Sequence, residues 1–271
     1  LALLLFQATI EPVKMIERQI GPATPITGGI TKDLEVGGTK ATLFMPSTWK
    51  PSASAPLWAH FHTAPWFVIS EHQRAGNSEL LLVFDLGQGS STYAKPFVAT
   101  GTFRLWTSKV EELTQAKVGG LHFTSFSAGY GAVRNLVGDP EVLERLQTVI
   151  LCDSFYGSLD AKSSNREVLA EHVDCWKPIA RKAAEGKARM IVTSSRIKPE
   201  TYAGTYEVAT ALVVALGGRL RHIEPDGSEQ ALIERFDRGR LHIWNYLGET
   251  AMAHMTHARR LAELIRASRL P

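Results

Sequence analysis

The sequence predicts an α/β fold, a mostly parallel sheet with helices on both faces. Three observations predict it. Short, largely apolar runs recur at residues 57–61, 80–84, 120–124, 149–152, 189–193 and 241–245. Such runs suit strands buried on both faces, as parallel strands are. Segments with helical spacing separate them, so strand and helix alternate. No linker interrupts the alternation, which predicts one domain over residues 33–271 behind an N-terminal arm at 1–32. With 271 residues, 44% of them apolar, the chain has enough apolar surface to offset the entropy of ordering it.

The chain opens Leu1-Ala-Leu-Leu-Leu-Phe6-Gln-Ala8, apolar and ending on a small residue, like the tail of a signal-peptide core. Two expectations stand: an exported protein with a signal remnant at 1–8, or a cytoplasmic one with a buried first element. Residues 11–32, rich in Gly, Pro and Thr, read as an irregular surface arm. Residues 33–45 alternate around Gly37-Gly38, a hairpin signal. A loop of Pro, Ser and Ala covers 46–56, the strand at 57–61 follows, and Pro65 is expected to stop it. The strand at 80–84 ends in Asp85-Leu-Gly-Gln-Gly. Leu105, Trp106, Val110 and Leu113 share a helical face within 103–116. Helices are further expected at 128–136, at a short segment opened by Asp139-Pro140, and at 165–185, 205–217 and 251–268.

Several function classes are excluded early. The net charge of +3 is too small for a nucleic-acid binder. No stretch reaches the roughly 18 apolar residues of a transmembrane helix. Cys152 and Cys175 are too few for a disulfide scaffold, and Cys152, inside an apolar run, reads as a buried small hydrophobe.

The sharpest local feature is Ser125-Phe-Ser127-Ala-Gly129-Tyr-Gly131, with a strand leading in and a helix leading out. Small residues two before and two after Ser127 let the backbones approach at a sharp turn that lifts a hydroxyl above the sheet. With Ser125 as nucleophile, Phe123 would fill a small-residue place, so the register favours Ser127. This segment resembles the nucleophile elbow of the α/β-hydrolase fold, with Ser125 where Gly is usual. The resemblance extends over roughly residues 33–268 and implies a triad in the chain order Ser, acid, His. It also implies a serine hydrolase acting on small carboxylic esters, with no metal or other cofactor.

Two carboxylates compete for the acid. Asp153 ends the sixth strand, where sites form in open α/β sheets, and Glu200 follows the seventh. Two histidines, His254 and His257, follow the last strand, and His254 lies nearer the loop. The backbone N–H of Ala128 is the expected first oxyanion donor. The second is expected from His60-Phe-His62-Thr63-Ala64-Pro65, which resembles the family's oxyanion loop with Thr63 where Gly is usual. Ala64 is the candidate there, because Pro65 has no N–H; His62 is expected to brace the loop. Trp66, Phe155, Tyr156, Tyr202 and Tyr206 are candidate walls of an apolar substrate pocket. Only about thirty residues separate the sixth and seventh strands, too few for a large lid.

Rival readings remain at this stage. A non-catalytic binding protein of the same fold is one, because fold does not guarantee activity. A zinc hydrolase using His60-x-His62 and His254-x-x-His257 is another, although no His-Glu-x-x-His is present. Gly87-x-Gly89 and Gly129-x-Gly131 lack the third glycine of a dinucleotide-binding loop.

Overall fold

The computed structural model describes residues 10–270, so the expected signal remnant at 1–8 lies outside the described residues. The sheet has ten strands, and its elements run in this order: β1 (Gly29–Val36), β2 (Thr39–Pro46), β3 (Ala55–Phe61), α1 (Pro65–Arg74), β4 (Leu80–Phe84), α2 (Ser90–Ala94), α3 (Thr102–Thr114), β5 (Val118–Phe126), α4 (Tyr130–Leu136), α5 (Pro140–Arg145), β6 (Leu146–Cys152), α6 (Ala170–Asp174), α7 (Lys177–Ala184), β7 (Arg189–Ser194), α8 (Thr205–Ala215), β8 (Arg221–His222), β9 (Leu232–Arg238), β10 (Leu241–Tyr246), α9 (Ala251–Ala258) and α10 (Leu261–Ala267). The spatial order is β1-β2-β4-β3-β5-β6-β7-β10-β9-β8. The six central strands from β4 to β10 pair in parallel, and antiparallel strands flank them at both ends.

Side chains alternate across the pleat, and both faces are apolar. Leu57, Ala59, Phe61, Val149, Leu151 and Val192 point to one face, where α3, α4, α7 and α8 pack. Trp58, Leu81, Val83, Ile150, Cys152 and Ile191 point to the other, under α1 and α10. This two-sided burial is why the central strands read as continuous apolar runs. Each fully buried Leu, Val or Phe contributes roughly 1.5–3 kcal/mol.

The hairpin expected around Gly37-Gly38 forms, with Val36 opposite Thr39. Several boundaries differ from expectation. β1 begins at Gly29, inside the expected arm, and Ile10 and Met15 of the arm are buried in the second layer. Pro65 does not merely end β3; it opens α1 at its first helical position, where its missing N–H has no partner to lose. The helix expected at 165–185 breaks at Cys175–Trp176 between α6 and α7, and that expected at 251–268 breaks at Arg259–Arg260. The antiparallel β8–β9 pair was not foreseen.

Both cysteines are free. Cys152 is buried, and burial raises its thiol well above the ordinary value. No helix of the described residues is long and apolar enough to cross a membrane.

One buried carboxylate ties the second layer together. Glu71 of α1 is 1% exposed in its side chain and accepts from Arg18 of the arm, from Arg74, and from the Ala262 N–H of α10 at 3.3 Å. Arg74 continues the network to Glu263 at 2.7 Å. Neutralising a buried partner leaves the remaining charges uncompensated. Glu71→Gln is therefore expected to lower unfolding free energy by about 2–3 kcal/mol, less than a fully buried pair because both arginines are partly solvated. Urea denaturation with an unchanged m-value checks it.

Candidate active site

The candidate residues gather at the C-terminal edge of the parallel strands, where open α/β sheets build their sites. Ser127 follows β5 directly, in a one-turn 3-10 helix (Ser127–Gly129) that leads into α4. Its φ is +49°, a left-handed conformation costly for a residue with a side chain. The cause is the tightness of the turn. A Cβ on Gly129 would lie 2.0 Å from the Phe61 carbonyl oxygen at the end of β3. A Cβ on Gly131 would lie 2.2 Å from the Ser90 carbonyl oxygen at the start of α2. Only glycine fits either place.

Ser125, where glycine is usual, is accommodated by hydrogen bonding. Its fully buried hydroxyl lies 2.8 Å from the Ser154 hydroxyl, which donates at 2.8 Å to the Ser127 carbonyl. A buried hydroxyl is costly only when unpaired, and Ser154 supplies the partner.

Asp153 follows β6 with φ +43° and is 1% exposed. Three donors converge on its carboxylate: the Ser195 N–H at 3.1 Å, the Ser195 hydroxyl at 2.7 Å, and His254 Nδ1 at 2.6 Å. Burial alone would push this carboxyl up. The His254 bond, the nearby His257 and His254, and the Ser195 bond outweigh it, and Asp153 titrates below its ordinary value. An ionised Asp153 requires the proton on Nδ1 of His254, which leaves Nε2 as an acceptor.

His254 enters from the second turn of α9, whose N-cap Thr250 accepts from the Ala253 N–H at 3.1 Å. Its ring stacks on Phe126 at 4.5 Å and meets the edge of Tyr156 at 6.5 Å. Ser127, Ala128, Tyr156, Tyr202 and His254 all line one open cleft of about 820 Å³. Among the described residues no large lid domain covers it.

The competing residues lie elsewhere. His257 is fully buried, with Nδ1 against the Thr193 hydroxyl at 2.8 Å, and burial pulls it down to about 4. Three residues along α9 suffice to carry it below the sheet edge into the core. Glu200 is exposed on the loop after β7, and only its backbone carbonyl is bonded, to Arg166. Phe155 is a correction: it is fully buried against Trp176 at 4.7 Å and lines no cleft. Trp66 packs beside Phe67 in the second layer, and the Tyr206 hydroxyl donates to Glu234 at 2.8 Å, so neither faces the cleft.

The loop after β3 is braced by two histidines. His60 Nε2 donates to the His62 carbonyl at 2.8 Å, while Nδ1 accepts from the Thr124 hydroxyl at 2.7 Å. Burial holds His60 down to about 3, so it stays neutral. His62 bonds the Tyr93 hydroxyl at 2.9 Å, and Tyr93 donates onward to the Gly87 carbonyl at 3.0 Å. With both ring nitrogens occupied, His60 is a brace rather than half of a metal pair. Ala64 is the N-cap of α1, half-buried, and lies outside the residues lining the cleft. Ser195, Ser154 and Tyr93 went unforeseen. The Ser194-Ser195 pair at the end of β7 was the available signal for the first.

No protein-family model matches the chain, and no curated protein matches it. Solved structures do. The BES protein from Bacillus cereus aligns over 94% of this chain and 100% of its own, at 10% identity and a TM-score of 0.53. The thermophilic carboxylesterase EstE1, cloned from a metagenomic library, aligns over 92% of both chains at 10% identity and 0.51. LpqC, a poly(3-hydroxybutyrate) depolymerase from Bordetella parapertussis, aligns over 91% of this chain and 92% of its own at 12% identity and 0.51. The chain has the α/β-hydrolase fold. Ser127 follows β5 and His254 follows β10, three strand positions apart in the sheet, and both reach the same cleft.

The neutral buried histidines make this α/β-hydrolase domain acid-sensitive. His60 is lowered to about 3, and His122 and His257 to about 4, chiefly by burial, against an ordinary 6.5. Below pH 6.5 the unfolded chain binds protons that the folded one does not, so stability falls with pH. Each of the three histidines contributes to this loss as the pH falls from the ordinary value toward its folded one. Thermal unfolding between pH 7 and pH 4 is expected to show a steep drop starting near pH 6.5; a flat profile to pH 4.5 would contradict it.

Proposed function

We propose that the protein is a serine hydrolase that cleaves small carboxylic esters through Ser127, His254 and Asp153. The observation that carries this reading is the buried Asp153–His254 bond of 2.6 Å, beside a cleft whose wall includes both His254 and Ser127. A serine hydroxyl is a weak nucleophile at its free pKa and needs an adjacent base. His254 Nε2, with no hydrogen bond among the described residues, is available to take the Ser127 proton. Asp153 holds the ring in the required tautomer and stabilises the imidazolium that forms.

The chemistry then runs in two halves. Ser127 Oγ adds to the ester carbonyl as His254 accepts its proton, and the carbonyl electrons move onto oxygen. The Ala128 N–H, just past the serine and in the cleft wall, is the assigned oxyanion donor, and Ala64, outside that wall, is the candidate for a second donor from the loop after β3. Collapse expels the alcohol, which takes the proton from His254, and leaves an acyl-enzyme. Water, deprotonated by the same His254, adds to the acyl carbon; collapse breaks the bond to Ser127 Oγ, which takes the proton back from His254, and the acid is released. Two of the structures that the chain resembles are named as a carboxylesterase and a poly(3-hydroxybutyrate) depolymerase, names that agree with ester chemistry.

A fluorophosphonate probe followed by peptide mass spectrometry tests the assignment. Labelling is expected at Ser127, insensitive to EDTA and lost in His254→Ala. Absence of labelling in a folded sample that also leaves p-nitrophenyl acetate intact overturns it and favours a non-catalytic binding protein.

Asp153→Asn is expected to lower kcat by roughly 10⁴, because the imidazole loses its orienter. Steady-state hydrolysis of p-nitrophenyl acetate reads this, and a loss below tenfold would take Asp153 out of the triad.

A further inference from the structure

The cleft wall beyond Ser127 carries a positive charge with no counter-ion. Arg134, in the last turn of α4, lines the cleft, and its guanidinium lies 5.4 Å from the centre of the Tyr130 ring. Helical side chains lean toward the N-terminus of their helix, here toward Ser127. Tyr130 stands three residues from the serine and Arg134 seven, so the Arg134 Cα lies roughly 10 Å along the helix from that of Ser127, with its side chain leaning back over Tyr130. Among the described residues, no carboxylate pairs with Arg134 and no carbonyl takes its N–H groups.

His172 also lines the cleft; its Nδ1 accepts from the Ser158 N–H at 2.7 Å, and its Nε2 lies 3.8 Å from the exposed Glu171 carboxylate, which stands outside the residues lining the cleft. Burial lowers His172, the Arg134 charge lowers it further, and Glu171 raises it, leaving it below its ordinary value. A neutral ring accepting at Nδ1 carries its proton on Nε2. Glu249, exposed on the loop before α9, is the one carboxylate among the residues lining the cleft, and it forms no ion pair among the described residues. Guanidinium is the side chain best matched to a carboxylate, which it grips through two parallel bonds. The Tyr130 ring beneath it holds the fork before any ligand arrives.

We propose that this site takes anionic esters, the half-esters of dicarboxylic acids, with Arg134 binding the free carboxylate while Ser127 attacks the ester carbonyl. The proposal rests on the serine-hydrolase reading and narrows it to a substrate class. The spacing asks for several methylenes between the two carbonyl carbons, as in an adipic half-ester. Arg134 is then a specificity residue, touching the acyl part of the substrate.

The test compares monoethyl adipate with ethyl hexanoate, the same acyl length without the carboxylate, by pH-stat at low salt. The unsubstituted protein is expected to show the higher kcat/KM on monoethyl adipate. In Arg134→Gln the ratio of the two kcat/KM values is expected to fall about tenfold, the loss of one charge-assisted contact, mostly through KM. Arg134→Lys should recover part of the ratio, since it restores the charge without the fork. Because the ratio is read within one sample, it does not depend on how much enzyme is folded. Should Arg134→Gln not fold, raising sodium chloride with the unsubstituted protein should depress turnover of the half-ester alone. A ratio unchanged by Arg134→Gln, or a preference for ethyl hexanoate, overturns the proposal while fluorophosphonate labelling of Ser127 preserves the reading beneath it. Absence of both turnover and labelling overturns both.

Discussion

The site depends on the close approach of two backbones. The turn after β5 lies so near the end of β3 that one added carbon at Gly129 would sit 2.0 Å from the Phe61 carbonyl oxygen. Gly131 repeats the constraint against α2, one step into the helix. With both positions bare, α4 folds back across the strand ends within three residues of β5. Ser127 is then left at φ +49° as the apex of the turn. Everything else around the cleft is arranged about that apex. Ser154 reaches from the exit of β6 to the Ser127 carbonyl, and Phe126, the last residue of β5, is the floor on which His254 stacks.

The parallel register carries the constraint to the neighbouring strands. Cys152 of β6 stands opposite Thr193 of β7, so the residue after β6, Asp153, donates its N–H to the Thr193 carbonyl at 2.9 Å. Ser195, two residues past Thr193, then meets the Asp153 side chain with both its N–H and its hydroxyl. A carboxylate taken out of water is tolerated only with such a set of donors. The same donors fix where the carboxylate points, and hence where an imidazole must stand to bond it. Position on the sheet edge thus becomes side-chain direction through hydrogen bonds that never touch the cleft.

Much of the scaffold is legible in the sequence because burial on both faces erases polar alternation and leaves bare apolar runs. The turn at Ser127 is legible for a related reason, since backbone crowding forces small residues at fixed offsets. What escapes has physical causes too. β9 reads Leu-Ile-Glu-Arg-Phe-Asp-Arg, and its buried Arg235 is neutralised by Asp237 at 2.5 Å, a pairing invisible without the fold. Pro65 marks both the end of a strand and the first turn of a helix, and the letters do not distinguish them. The pocket aromatics divide by which way each loop turns: Tyr156 and Tyr202 face the cleft, while their neighbour Phe155 turns inward onto Trp176. His254 and His257 are separable only by depth, since the Thr193 hydroxyl and the Asp153 carboxylate each take one.

Backbone strain points to the same edge of the sheet. Among the described residues, six that are not glycine have positive φ, and four of them are His62, Thr63, Ser127 and Asp153. Each such conformation costs on the order of 1–3 kcal/mol and persists only where surrounding contacts over-determine it. Those contacts are present: His60 and Phe84 hold the two sides of the His62 peptide, Gly129 and Ser154 hold Ser127, and Thr193 and Ser195 hold Asp153. Thr63, at φ +141° with a buried unpaired hydroxyl, is the costliest of the four. A scaffold whose only task were to fold would relieve that position with glycine. The strain is thus collected on three separate loops at the C-terminal edge of the sheet, where Ser127 reaches the cleft wall. The loop carrying Thr63 is held in a strained conformation at the same sheet edge as Ser127 and Asp153, and neither Thr63 nor Ala64 forms part of the cleft wall.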